Sequence, residues 1–276
     1  MKKIKKYIFI FIFFFSISFF FFYNYNIKIR MPVLTKIIFG KYKHKYHVTD
    51  ILNITYTYKK EKRKVMNREN NYGNYLVYIY NTHDTEKYYD STYLINPEVS
   101  VNNYIIKEYL DKNKINTYVE ERSIKELLNF HNYKYSDSYK CSREYMEDVK
   151  SKNPSIKYFI DIHRDSLKRD KTTVNVNGEE YASVLFLLGL ENKNYNENLE
   201  FINKINDKLN EKYKGLSKGI LKKSGRGVNG VYNQDFSKYT ILIEIGGQEN
   251  TLKEVVRTSK ALSEILYEVI KDEEHN

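Results

Sequence analysis

KYFIDIHRDS, residues 157–166, starts as a buried strand and ends in charge. Phe159, Ile160 and Ile162 belong to the short apolar, β-branched and aromatic kind of run that forms a strand packed on both faces. Yet Asp161, His163, Arg164 and Asp165 fall within five positions of one another. Two other runs share this form: YLVYIY (75–80) stops abruptly at NTHDTEKYYD, and YTILIEIGG (239–247) carries Glu244 just before Gly246-Gly247. Helical spacing separates the three. Residues 101–113 place Val101, Ile105 and Tyr109 on one face, with Tyr104 and Leu110 flanking it, and 136–152 predicts a second helix. Leu199, Ile202, Ile205, Leu209 and Tyr213 recur at steps of three or four, and a long amphipathic helix from Leu252 carries Val255, Val256, Leu262, Leu266 and Val269. INTYVEE and GILKKSG add short strands. TTVNV and YASVLFLLGL flank Asn177-Gly178, the signal of a two-residue hairpin. Strands alternating with helices predict an α/β fold, a twisted sheet flanked by helices and mixed because of the hairpin.

The start of the chain has a different character. MKKIKK precedes YIFIFIFFFSISFFFFY (7–23), an uncharged run close to the lower end of the roughly 17–25 residues that span a bilayer. Lys2, Lys3, Lys5 and Lys6 favour a cytoplasmic N-terminus, a bias that Lys28 and Arg30 dilute. A cleaved signal peptide competes with this transmembrane anchor, but NYNIKIR offers no small-x-small cleavage site. The expected organisation is a basic tip and anchor over 1–26, a basic linker over 27–70 with one strand in ILNITYTY, and a folded domain over 71–276 outside the cytoplasm. Much of the formal net charge of +11 lies in the linker, where Lys41, Lys43, Lys45, Lys59, Lys60, Lys62, Arg63, Lys64 and Arg68 face only Asp50, Glu61 and Glu69. Anionic lipid or wall polymer suits such a tether. Nucleic acid does not, because no base-stacking module accompanies the charge. The single Cys141 forms no internal disulfide, and without a Gly-rich nucleophile turn it reads as a packing cysteine, despite His131 nearby.

In an open α/β sheet the ligand site lies beyond the carboxyl ends of the strands. There the first strand releases His83 and Glu86, the second ends on His163, followed by Arg164 and Asp165, and the third ends on Glu244. Two imidazoles and one carboxylate with an open fourth position make a catalytic zinc shell, and a further carboxylate, Glu244, can carry a proton to a leaving amine. Each residue alone has a blander reading: a turn histidine, a satisfied strand-end histidine, an edge-strand carboxylate facing water. His44, His47 and His275 read as solvated tether and tail residues.

NTHDTEKY, FIDIHRDS, GVYNQDFS and LIEIGGQENT occur in this order between residues 75 and 252, and together they resemble the motifs of the stage II sporulation protein P family. That family's fold is similar to zinc N-acetylmuramoyl-L-alanine amidases. The resemblance implies a membrane-anchored peptidoglycan hydrolase with Zn2+, amidase and endopeptidase activity, a role in engulfment, and a partner lytic transglycosylase, stage II sporulation protein D. Matched by motif, it implies His83 and His163 as metal ligands and Glu244 as the catalytic carboxylate. For the acidic ligand it leaves Glu86, three residues after His83, against Glu98 at the start of the next helix, with Glu86 preferred. Arg143, Arg164, Asn233 and Gln234 are candidate substrate contacts, and Thr85 and Lys87 depart modestly from the family pattern. The alternatives are a metallocarboxypeptidase-like hydrolase of short peptides and a non-catalytic wall-binding protein.

Overall fold

The computed structural model describes residues 74–90 and 96–275. The expected anchor, the linker and the strand in ILNITYTY lie outside the described residues, and no helix among those described is long and apolar enough to cross a membrane.

Six strands form the central sheet: β1 (Val77–Tyr80), β2 (Thr117–Val119), β3 (Tyr158–Asp165), β6 (Val184–Gly189), β7 (Ser217–Lys223) and β8 (Thr240–Gly247), in the spatial order β2-β1-β3-β8-β6-β7. The neighbours β2, β1, β3 and β8 run parallel, as do β6 and β7, while β6 is antiparallel to β8. The sheet is therefore mixed as expected, but for a different reason. The hairpin strands β4 (Thr173–Val176) and β5 (Glu179–Ala182) make a separate two-stranded sheet. Asn177 (φ 53°) and Gly178 (φ 84°) both adopt the left-handed conformation that a two-residue primed turn requires, so Glu179 and Glu180 begin β5 and do not lengthen the loop.

Side chains alternate across a strand, and here the alternation separates two unlike faces. Val77, Ile79, Ile160, Ile162, Ile241, Ile243, Ile245, Val184, Phe186 and Leu188 join the main core. On them pack α1 (Val101–Lys112), α5 (Tyr195–Lys212) and α6 (Leu252–His275) through residues such as Ile106, Ile205 and Leu266. The other face carries Tyr78, Tyr80 and Phe159, which meet Met146 and Val149 of α3 (Ser138–Lys152), and then the charged positions of β3 and β8.

Two local expectations change. The buried side of α1 is Asn102, Asn103, Ile105, Ile106 and Leu110, shifted from the expected Val101–Ile105–Tyr109 stripe while keeping Ile105 and the flanking Leu110. Hydrogen bonding explains the shift: Asn102 donates to the Val99 carbonyl and accepts from Ser259, and Asn103 donates to Asn81. Buried amides are tolerated when bonded in this way. A helix not anticipated from the sequence, α2 (Ile124–His131), precedes α3, with Ser123 accepting the Glu126 N–H as its N-cap. Ile124 and Leu128 enclose Cys141, whose thiol burial pushes up, as befits a packing residue. A one-turn helix, α4 (Arg169–Thr172), leads into β4.

Candidate active site

The chain leaves β1 through a loop held to its neighbours by short polar side chains. Asn81 donates to the Ile162 carbonyl, and the backbone N–H and hydroxyl of Thr82 both donate to the Asp161 carboxylate, at 2.9 and 2.6 Å. These bonds fix where His83 emerges. Asp161 and His163, two apart on β3, share one face, and the register sets His163 beside Glu244 and Asp161 beside Leu242. Beyond Glu244, Gly246 (φ 61°) sits where the register between β3 and β8 shifts; a Cβ there would lie 2.6 Å from Asn250 Oδ1. Asn250 accepts from the Gly247 N–H and from Thr172 and donates to Glu254, so the GGQEN string braces the strand end.

The imidazoles of His83 and His163 are near neighbours, with centroids 5.2 Å apart and planes at 81°. His83 is also stacked on Tyr135 at 4.8 Å and meets the edge of Tyr139 at 5.7 Å. On the other ring, Nδ1 lies 3.7 Å from Glu86 Oε2 and Nε2 lies 3.0 Å from Asp161 Oδ1, the latter without the alignment of a hydrogen bond. Glu86 Oε2 accepts the Arg164 N–H at 3.1 Å. Glu98 instead points to solvent and pairs with Lys87 at 3.8 Å, so of the two candidate carboxylates only Glu86 stands with the histidines.

The electrostatics follow from crowding charge into a dry place. Burial, and then the neighbouring His163, bring His83 down to about 4. Burial opposes a charged His163 as well, but Asp161, by charge and contact, together with Glu86 and Glu244, outweighs it and lifts that ring to about 9. Burial raises Glu86, and raises Glu244 to about 7 against the pull of His163.

Does zinc fit these residues? Among the described residues, no three His, Cys, Asp or Glu side chains stand close enough together, as placed, to hold a metal ion. The donors are nevertheless of the right kind and spacing. An imidazole nitrogen bound at roughly 2.0–2.1 Å puts its ring centroid roughly 3.2 Å from the ion, so two rings on one tetrahedral zinc lie roughly 5 Å apart. His83 and His163 have that separation. Moreover His83 Nδ1 is buried without a hydrogen-bond partner, a costly condition for a polar atom that lacks a ligand, and the His163 Nδ1 faces Glu86. We take the set as fitting a divalent ion.

The candidate substrate contacts separate. Arg164 lies at the site, its guanidinium donating to the Lys87 carbonyl. Arg143 is part-exposed on α3, paired with Asp235 and stacked over Phe236. Asn233 and Gln234 are buried and bonded inward: Asn233 donates to the Tyr139 carbonyl, while Gln234 donates to the Leu187 carbonyl and accepts from Gly189. These two hold the GVYNQD loop against α3 and β6.

Sequence reasoning had not assigned roles to Asp161, Tyr135 and Tyr139. The Asp-Ile-His spacing could have revealed Asp161, because i and i+2 share a strand face; no local signal links either tyrosine to His83.

The family model described as Stage II sporulation protein P (SpoIIP) matches residues 36–267. The chain belongs to the stage II sporulation protein P family. The four motifs had pointed there, and the match starts inside the stretch read as linker. Stage II sporulation protein P of Bacillus subtilis (strain 168) is 34% identical over 208 residues, which cover 72% of this chain and 52% of that protein. The chain thus spans about half the length of that family member. Two solved structures are also similar: the CwlD amidase from Clostridioides difficile in complex with the GerS lipoprotein (11% identity, TM-score 0.46, 71% of this chain and 97% of that one), and Cwp6 from Clostridium difficile (13%, 0.43, 72% and 29%).

Proposed function

We propose that this chain is a zinc-dependent N-acetylmuramoyl-L-alanine amidase that cuts peptidoglycan during sporulation engulfment, with endopeptidase activity on stem peptides. In this reading residues 7–23 anchor it in the membrane, 27–70 form a basic tether, and the catalytic domain over 71–276 lies outside the cytoplasm, working with a lytic transglycosylase. One observation carries the proposal: His83 and His163 stand 5.2 Å apart in a cluster with Glu86 and Glu244, with the buried His83 Nδ1 left unpartnered.

His83, Glu86 and His163 would hold the ion. When bound, zinc supplies Lewis acidity toward a scissile carbonyl and toward water. The remaining steps belong to the chain. Glu244, poised near neutrality by burial, takes a proton from the attacking water and passes it to the leaving amine. Asp161, fixed by Thr82, holds the His163 ring in orientation, the usual task of a carboxylate behind a ligand histidine. Arg164, anchored on the Lys87 carbonyl, keeps a cation at the mouth for the carboxylates of a stem peptide.

The test is the metal content of the purified full chain together with its products on sacculi. One zinc per chain and release of intact stem peptides are expected. Trimming of terminal residues alone would identify a carboxypeptidase, and wall binding without metal or product would identify a scaffold.

A further inference from the structure

From the last turn of α2 toward α3 the chain reads FHNYKY (130–135), and its three largest rings face solvent: Phe130 is 82% exposed, Tyr135 59% and Tyr133 43%. This is not a slack loop. Asn132 closes α2 in the left-handed conformation, and the Tyr133 N–H donates to the Leu128 carbonyl at 2.8 Å. The Asp137 carboxylate accepts the Lys134 N–H, and Ser138 donates to the Tyr135 carbonyl at 2.6 Å. The rings are ordered against one another: His131 stacks on Tyr133 at 4.9 Å and meets Phe130 at 5.1 Å. The last ring of the strip, Tyr135, lies on His83. A pinned backbone that holds apolar rings in water marks a binding surface.

We propose that Phe130, Tyr133 and Tyr135 form a saccharide platform that seats the glycan strand beside the active site, a proposal that rests on the peptidoglycan reading above. Charge favours this occupant. The cations beside the strip are paired, Lys140 with Asp137 and His131 with Glu144; His131 and Lys140 flank Tyr133, and the more exposed rings of Phe130 and Tyr135 are the ones open to the C–H faces of pyranose rings. Size favours it too. Side chains of about 150–250 Å² each, exposed to this degree, present roughly 400 Å², about half of what one partner contributes to a stable protein interface. The stacking of Tyr135 on His83 also puts one end of the segment at the site, where a substrate joined to glycan has to lie.

The experiment measures binding of peptide-free wall glycan strands to the full chain. Phe130→Ala with Tyr133→Ala is expected to weaken binding about tenfold or more, with zinc content and thermal midpoint unchanged, while Phe130→Trp retains affinity. Equal binding by the double variant, or no binding by the unaltered protein, overturns the platform. Glycan binding needs no turnover. Capture of glycan by a chain that releases no stem peptide would therefore sink the amidase reading and leave the platform standing, and amidase activity without glycan affinity would do the reverse.

Discussion

The two faces of the central sheet are built from the same strands and have opposite natures. On one, Ile160, Ile162, Ile241, Ile243 and Ile245 lie in the main apolar core under three helices. On the other, one residue out of step, Asp161, His163 and Glu244 are gathered where one helix and a loop give thinner cover. Period-two alternation lets a single stretch such as FIDIH serve both purposes: its isoleucines supply the burial that allows its charges to be held in a dry place. Stability and chemistry are thus divided by face, and substitutions on the two sides should have separable effects.

Glu244→Gln should have the largest consequence. It keeps the shape of the site and removes the proton carrier, so amidase turnover on sacculi should fall by about 10²–10⁴-fold while zinc content and thermal midpoint stay close to the unaltered values. A variant that retained a third of the activity would remove Glu244 from the mechanism. Its counterpart on the opposite face is the adjacent Ile243, fully buried in the main core. Ile243→Ala should cost about 2–5 kcal/mol in denaturant unfolding and leave zinc content intact below the transition. Metal loss from a still-folded Ile243→Ala chain would show that the two faces are not independent.

This division also explains how much could be read from the sequence. The strands and the helices α5 and α6 were legible because apolar spacing is a local property. The antiparallel pairing of β6 with β8 was not, since it joins residues about sixty apart and leaves no mark in either strand. α2 was legible in principle, since Ile124, Leu127 and Leu128 recur at steps of three and four and Ser123 with Glu126 carries a capping signal, but its eight residues make a short stretch between a strand and a longer helix. The face of α1 was misjudged because the structure buries two asparagines that hydrophobic patterning discounts. At the site, His83, His163 and Glu244 were readable as strand-end residues, and the choice of Glu86 over Glu98 needed the folded loop. Asp161 was hidden by its isoleucine neighbours.

Asp161 provides a finer cut within the polar face. It accepts both Thr82 bonds and sits 3.0 Å from His163 Nε2, so Asp161→Asn keeps its volume while removing its charge. Loss of such a supporting carboxylate lowers metal affinity by about 10–100-fold, and competition with a chelator should show this. Unchanged affinity would mean that the His163 ring is oriented by packing alone.

The smallest predicted effect separates packing from charge at the other histidine. Among the described residues no carboxylate is hydrogen-bonded to His83 Nδ1; the ring is stacked on Tyr135 and lies edge-on to Tyr139. Aromatic pairs of this kind contribute about 0.5–1.5 kcal/mol beyond burial, so Tyr135→Ala should weaken zinc retention by about two- to tenfold. Tyr135→Phe, which keeps the stacked ring and loses only the hydroxyl, should restore it. If the phenylalanine variant were as impaired as the alanine one, the hydroxyl and not the ring face would be responsible, and His83, like His163, would depend on a polar partner for its orientation.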